Sequence, residues 1–351
     1  MLFRSLRGAP VRNARAWSAA VDEALRMFVQ DSDVVFTGHQ WPVWGTGRIA
    51  ELLALHRDLY RYIHDETLRL ANHGYTPNEI AALIELPETL SKSWATRGTY
   101  GALESNAKGV YQHYLGWFDA NPANLDPLPP AEAGQRYVEA LGGLEAAVNK
   151  AQQAVDKGEY RWAAELLKHV LAASPENEAA RLIQAEVFEQ LGYQAESSTW
   201  RNFYLIGAQE LRLGFAGGKS FNIGSPDVVA GMTVEMLADH MAVRLNGPAA
   251  GGLTLRVGLR VTDVEGVVTV ATLATENGVL QYVPDSTDGT SVVLDIPHAQ
   301  FAALAFGTVT LDELADRNEV SVEGSRADLE QLLEVLDTFT GVFNVVTPNL
   351  R

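Results

Sequence analysis

Phe36-Thr-Gly-His-Gln-Trp-Pro-Val-Trp-Gly45 is the stretch around which this chain is organised. The apolar run that leads into it, Val34-Val35-Phe36, reads as a short buried strand. Gly38-His39 ends that strand, and Trp41-Pro42 and Trp44-Gly45 turn the chain toward a long helix. A histidine just past the carboxyl end of a buried strand can present an imidazole nitrogen at a cleft, which makes His39 a candidate metal ligand. One imidazole is not a metal centre, because zinc that activates water takes about three protein ligands and an open position. On the residues alone the plainer reading is a loop histidine packed on two tryptophans. Strand 33–38 also needs partners for its backbone groups, and the N-terminal segment supplies almost none. It is expected as an exposed edge, or as one covered by a partner chain.

The 351 residues suffice for two or three domains, and 47% apolar with 20% charged residues is the composition of a soluble globular protein. A formal charge of −17 argues against nucleic acid and anionic lipid as partners. With zero cysteines there are no disulfides, thiolate nucleophiles or Cys-ligated zinc. No apolar run of about 18 residues exists, so no membrane span is expected. Met1 to Gly8 carries charge without the apolar core of a signal peptide. The compartment stays open: cytoplasmic, or periplasmic or secreted if a signal lies upstream.

Outward from the opening stretch the chain reads as helices. Trp17, Val21, Leu25 and Phe28 share a face of a helix over 14–29 with Asn13 as its N-cap. A second helix runs from Arg48 to His73 and stops at Gly74. His56, His64 and His73 lie on it, eight and nine residues apart, too far for one metal, and read as surface or interface histidines. Thr76-Pro77-Asn78-Glu79 is a capping box with proline at the first helical position. It opens a short helix that Pro87 closes. Helices follow over 88–96 and 102–118, the latter with an aromatic stripe (Tyr111, Tyr114, Trp117, Phe118) of core or interface type. Residues 119–130 hold four prolines and read as a surface connection. Helices over 131–141 and 144–156 lead to an internal echo in which Gly158 and Gly192 stand 34 residues apart, the tetratricopeptide period.

Gly214-Phe-Ala-Gly-Gly218 marks a change of composition. From 219 to the end there are 7 basic and 18 acidic residues, a local charge of −11. A helix over 233–245 precedes strands over 254–261, 267–275, 279–283 and 291–295, with Glu276-Asn277-Gly278 as a hairpin turn. Helices return over 297–305, 310–317 and 325–339, and Val320–Glu323 reads as an edge strand. This is a separate α+β domain with a mostly antiparallel sheet and helices on one face. Its apolar faces enclose either a packed core or a tunnel.

Together these segments resemble the bacterial alkylsulfatases, hydrolases of long-chain alkyl sulfates such as dodecyl sulfate. The resemblance is carried by Leu6-Arg7-Gly8-Ala9, by Gly38 to Gly45 and by Arg57 to His64. Thr67 to Thr76, Tyr111 to Asp119, Tyr160 to Ala164, Leu191 to Glu196 and Trp200 to Tyr204 extend it. It covers residues 1–215 specifically, and 216–351 more by pattern. It implies an α+β multidomain chain in three parts. Residues 1–75 would be the C-terminal remnant of a metallo-β-lactamase-type domain. Residues 76–215 would be an all-helical dimerisation domain with a tetratricopeptide-like hairpin. Residues 216–351 would be a sterol-carrier-protein-like domain that recruits the alkyl chain. It also implies a homodimer, a long-chain alkyl sulfate as ligand, and two zinc ions in the intact family. His39 would be a zinc ligand, and Arg7 would hold the sulfate while a zinc-bound hydroxide attacks the ester; an arginine fork suits those oxygens.

The departures from that pattern shape the expectation. The family's His-x-His-x-Asp-His run is absent, and one imidazole cannot hold two zinc ions. Where the family tends to have Ser-His-Asn, whose histidine is a proposed proton donor, this chain has Glu104-Ser105-Asn106; general acids contribute about 10²–10⁴-fold in rate. The expectation is therefore a truncated alkylsulfatase that supplies dimerisation and alkyl-chain recruitment and is inactive alone. The alternative is a non-catalytic dimeric protein that binds a lipid or another aliphatic ligand.

Overall fold

Asn13 starts the first helix as its side chain dictates, with Oδ1 accepting the Ala16 backbone N–H at 2.9 Å. The computed structural model describes residues 6, 8, 10–38, 40–214, 225–339 and 343–349. They fall into two units, Met1–Ala216 with Asn344–Arg351, and Gly217–Phe343.

In the first unit, α1 (Ala14–Phe28) is followed by an antiparallel hairpin of β1 (Val34–Thr37) and β2 (Gln40–Trp44). Two expectations change here. Trp41 to Trp44 is a strand, not a turn, so β1 finds its partner in the residues that follow it. Nor is β1 buried: Phe36 is 75% and Trp41 82% exposed, and only Val43 of the hairpin joins Val29 and Ile49 inside. Pro42 lies where the pairing slips between Val35 and Thr37, an irregular position of the kind that tolerates proline.

The long helix α2 (Thr46–Asn72) begins after Gly45 and gives way to Gly74, both at positive φ, +90° and +88°. Ser18 Oγ donates to the Arg57 carbonyl at 2.9 Å, tying α1 to α2. The capping box opens α3 (Pro77–Leu83) with both reciprocal bonds formed. The helix expected over 88–96 is broken. Only α4 (Glu88–Ser91) is α-helical, and a 3₁₀ turn covers Trp94–Thr96, because the Ser93 side chain caps Ala95 and Thr96 Oγ1 donates back to the Leu90 and Ser93 carbonyls. Next, α5 (Leu103–Leu115) stops at Gly116 with φ +85°, short of the expected 118. Ala14, Leu59, Tyr60, Ile63, Leu90 and Val110 form one cluster across residue 75.

Five helices complete this unit: α6 (Pro130–Ala140), α7 (Leu144–Asp156), α8 (Tyr160–Ala173), α9 (Glu178–Gln194) and α10 (Ser198–Leu213). Their core is built from small and branched residues, among them Ala147, Ala151, Leu167, Leu171 and Ala185. The two glycines of the internal echo serve differently. Gly158 follows α7 at φ +74°, whereas Gly192 lies inside α9, where a Cβ would stand 3.0 Å from Leu205 of α10. The buried Glu210 carboxylate accepts the backbone N–H groups of Val345 and Val346 at 3.0–3.1 Å, fixing the last described segment against α10.

The second unit begins with α11 (Pro226–Ala230), α12 (Val234–Arg244) and α13 (Gly247–Ala250), then β3 (Leu255–Thr262), β4 (Val268–Glu276), β5 (Val279–Pro284) and β6 (Val292–Pro297). It closes with α14 (His298–Ala305), α15 (Leu311–Asp316), β7 (Ser321–Gly324) and α16 (Arg326–Glu334). The sheet order is β5-β4-β3-β6-β7, antiparallel except for the β3–β6 pair. Asn277 and Gly278 both take positive φ, 54° and 74°, as the two-residue hairpin turn requires. Val257, Leu259 and Val261 of β3 alternate onto the core with Leu294 and Ile296, while Arg260 on the other face pairs with Asp295 and Glu323. Buried Arg244 donates to the carbonyls of Ala305 at 2.6 Å and Asp337 at 2.8 Å, joining α12, the end of α14 and the segment after α16.

Candidate functional site

Arg7 and His39 both lie outside the described residues. Gly38 and Gln40, which flank His39 in sequence, stand at the tip of the β1–β2 hairpin, whose exposed face carries Phe36 and Trp41. Among the described residues, no three His, Cys, Asp or Glu side chains converge as metal ligands do. The described donors do not fit a two-zinc centre.

Ser105 is the residue that the sequence resemblance sets against a histidine of the family. It is buried in the first turn of α5, and its Oγ accepts the Trp200 indole N–H at 2.7 Å. The preceding loop is anchored on the start of α10. Ser197 and Thr199 both donate to the Tyr100 carbonyl at 2.9 Å, Ser198 N–H donates to the Thr99 carbonyl at 2.8 Å, and Arg97 pairs with Glu196. These bonds cross about a hundred residues of sequence, and a small cavity of about 40 Å³ between Tyr60, Ile63, Gly98 and Asn106 lies beside them.

His64, expected at a surface or interface, is buried. Its Nδ1 lies 2.7 Å from Asp65 Oδ1 and its Nε2 2.9 Å from the Tyr114 hydroxyl. With the Nδ1–H donated to Asp65, Nε2 is the acceptor for the Tyr114 O–H. Partial burial raises the Asp65 carboxyl, but hydrogen bonds from Arg61 and His64 outweigh it and hold the group below the usual carboxylate range. Spacing among the histidines of α2 could not show this chain, because Tyr114 comes from α5, 50 residues on. His56 is likewise partly buried, with Nδ1 on the Leu52 carbonyl at 2.8 Å, and His73 closes α2.

A cavity of about 990 Å³ lies in the second unit. That is at the upper end of the roughly 300–1,000 Å³ range of small-molecule sites. Val229, Met232, Val234, Ala302 and Phe306 make its walls mostly apolar. Helices α11, α12 and α14 and the sheet edge at Tyr282 frame it, while a packed cluster fills the rest of the unit. Of the two outcomes open from the sequence, the packed core is present, and beside it lies this cavity, which opens to solvent. At the mouth, His298 Nε2 lies 2.7 Å from the Met232 carbonyl. Glu235, at the start of α12, and Asp263, in the β3–β4 turn, add carboxylates to the lining. Burial raises the Tyr282 phenol, and the charges of Glu235 and Asp285 push it the same way, so it stays a neutral donor.

Comparison with known proteins gives this arrangement a family. The alkyl sulfatase dimerisation family matches residues 76–214, and the alkyl sulfatase C-terminal family matches residues 222–348. The chain is 42% identical over 345 residues to a linear primary-alkylsulfatase of Pseudomonas sp., an alignment covering 98% of this chain and 51% of that protein. It is 41% identical to an alkyl/aryl-sulfatase of Saccharomyces cerevisiae, covering 98% of this chain and 52% of that one. Among solved structures, a stereoselective inverting sec-alkylsulfatase from Pseudomonas sp. superposes with a TM-score of 0.92 at 37% identity, covering 99% of this chain and 54% of that one. The chain spans about half the length of these relatives. Two adjoining domain matches and this extended identity show that the chain belongs to the alkylsulfatase family and carries its dimerisation and C-terminal domains.

Proposed function

We propose that this chain is the dimerising and alkyl-chain-holding part of an alkylsulfatase, a hydrolase of linear alkyl sulfate esters whose complete catalytic centre uses zinc. The observation that carries the reading is the 42% identity to an alkylsulfatase across 98% of the chain. In this reading residues 1–75 belong to a metallo-β-lactamase-type domain, 76–215 dimerise, and 216–351 form a sterol-carrier-like domain whose apolar cavity takes the alkyl tail. Each buried methylene of such a tail contributes about 0.8 kcal/mol. His39 is proposed as one zinc ligand and Arg7 as the sulfate contact.

The chain by itself is proposed to be inactive. Its described donors do not fit a two-zinc centre, and Ser105, bonded to the Trp200 indole, cannot protonate a leaving alcohol as an imidazolium can. Purified chain incubated with zinc and dodecyl sulfate should release no inorganic sulfate above a metal-free control. Release that depends on added zinc would overturn the proposal.

A further inference from the structure

The mouth of the 990 Å³ cavity has a chemistry that the tail-binding reading does not use. Glu235 and Asp263 line it, and no Lys or Arg does so among the described residues. Asp263 is held in place, its Oδ1 accepting the backbone N–H groups of Glu265 at 2.9 Å and Val267 at 2.8 Å. Arg317 belongs to the adjoining groove, where Glu313 and Glu319 accompany it. The neutral polar groups of the lining include donors, such as the Tyr282 phenol, and acceptors. With the His298 Nε2–H donated to the Met232 carbonyl, Nδ1 is left as an acceptor. Thr308 Oγ1 already donates to the Ala303 carbonyl at 3.0 Å, which leaves it as an acceptor.

A sulfate monoester is anionic at neutral pH and brings no proton to donate. It meets two like charges here. A long-chain alcohol has the same tail, carries no charge and offers an O–H to Nδ1 or to a carboxylate. We propose that this cavity selects the neutral alcohol, the product of ester cleavage, over the alkyl sulfate. The assignment rests on the reading of the cavity as an aliphatic site and specifies the head group that the site accepts.

The test is equilibrium dialysis of the full 351-residue chain against radiolabelled 1-decanol and, separately, decyl sulfate below its micellar concentration. Decanol should bind about tenfold more tightly at low salt, a ratio set by two exposed like charges near the head group. In the double variant Glu235→Gln, Asp263→Asn, decyl sulfate binding should rise toward that of decanol while decanol binding changes little. Both positions are exposed, and a circular-dichroism spectrum checks that the variant is folded. Decyl sulfate binding as tightly as decanol, or a gap that the double variant leaves unchanged, overturns the selectivity while leaving the aliphatic site standing. Binding of neither compound overturns the aliphatic site, and the selectivity with it.

Discussion

Glu210 shows what a single buried charge does here. Its carboxylate is 8% exposed and is satisfied by the N–H groups of two consecutive residues, Val345 and Val346, more than 130 positions away. Glu210→Ala removes both acceptors and leaves two donors without them, which should destabilise the first unit by about 1–3 kcal/mol. Hydrogen exchange at Val345 and Val346 should quicken in step, and unchanged protection there would refute the role. The histidines set a pH dependence. Burial lowers the pKa of His56 and of His240, the latter with help from the Arg244 charge. Below the unfolded value of about 6.5 the unfolded chain takes up protons that the folded chain refuses. Their contribution is therefore fully present above that pH and is lost as the pH falls toward the depressed folded values. Urea midpoints should decline between pH 7.5 and 5.5, and His56→Leu should make the decline shallower. An equal slope in that variant would exclude His56 as a source.

Helix-to-helix contact in the first unit depends on glycines that face a neighbour. Gly134 of α6 lies against the α8 backbone, where an added Cβ would come within 2.6 Å of the His169 carbonyl oxygen and 2.8 Å of the Ala173 nitrogen. Backbone cannot move aside cheaply, so Gly134→Ala should cost about 1–3 kcal/mol in chemical denaturation. Gly192 in α9 meets only the Leu205 and Tyr204 side chains, at 3.0–3.4 Å, and Gly192→Ala should cost less. The reverse order would show that α6 and α8 have room to separate. At this scale much was legible beforehand. Asn13, the Thr76–Glu79 box and Asn277-Gly278 act within three or four residues, so their bonds follow from local spacing alone. The hairpin at 34–44 is not legible in the sequence because Pro42 resembles a turn residue, and the slip at which it lies depends on the facing strand.

The whole chain leaves large apolar side chains in the open. Phe36, Trp41 and Trp44 on the hairpin, Trp117 after α5, and Trp162 and Tyr193 in the helical region are all more than half exposed. A dimerising domain has use for such surface, since aromatic residues are enriched in interface cores. Sedimentation should give a particle of twice the 38.2 kDa chain mass. A monomer at micromolar concentration would remove dimerisation from the proposed function. Among the described residues no helix is long and apolar enough to cross a membrane.

What the sequence by itself determined are the features with local causes: the caps, the helix ends at glycine, the Asn-Gly turn and the change of composition near residue 216. Its long motifs also identified the family, because a run such as Gly38 to Gly45 is specific as written. Tertiary structure alone decided which distant groups meet. It set Tyr114 against His64, the Trp200 indole against Ser105, and the Val345 and Val346 amides against Glu210. It also left an apolar space between α12, α14 and the sheet with two carboxylates at its mouth. The physical reason is that a hydrogen bond or a cavity wall depends on positions in space. Side chains 50 or 95 residues apart have no common sequence signal until their helices pack.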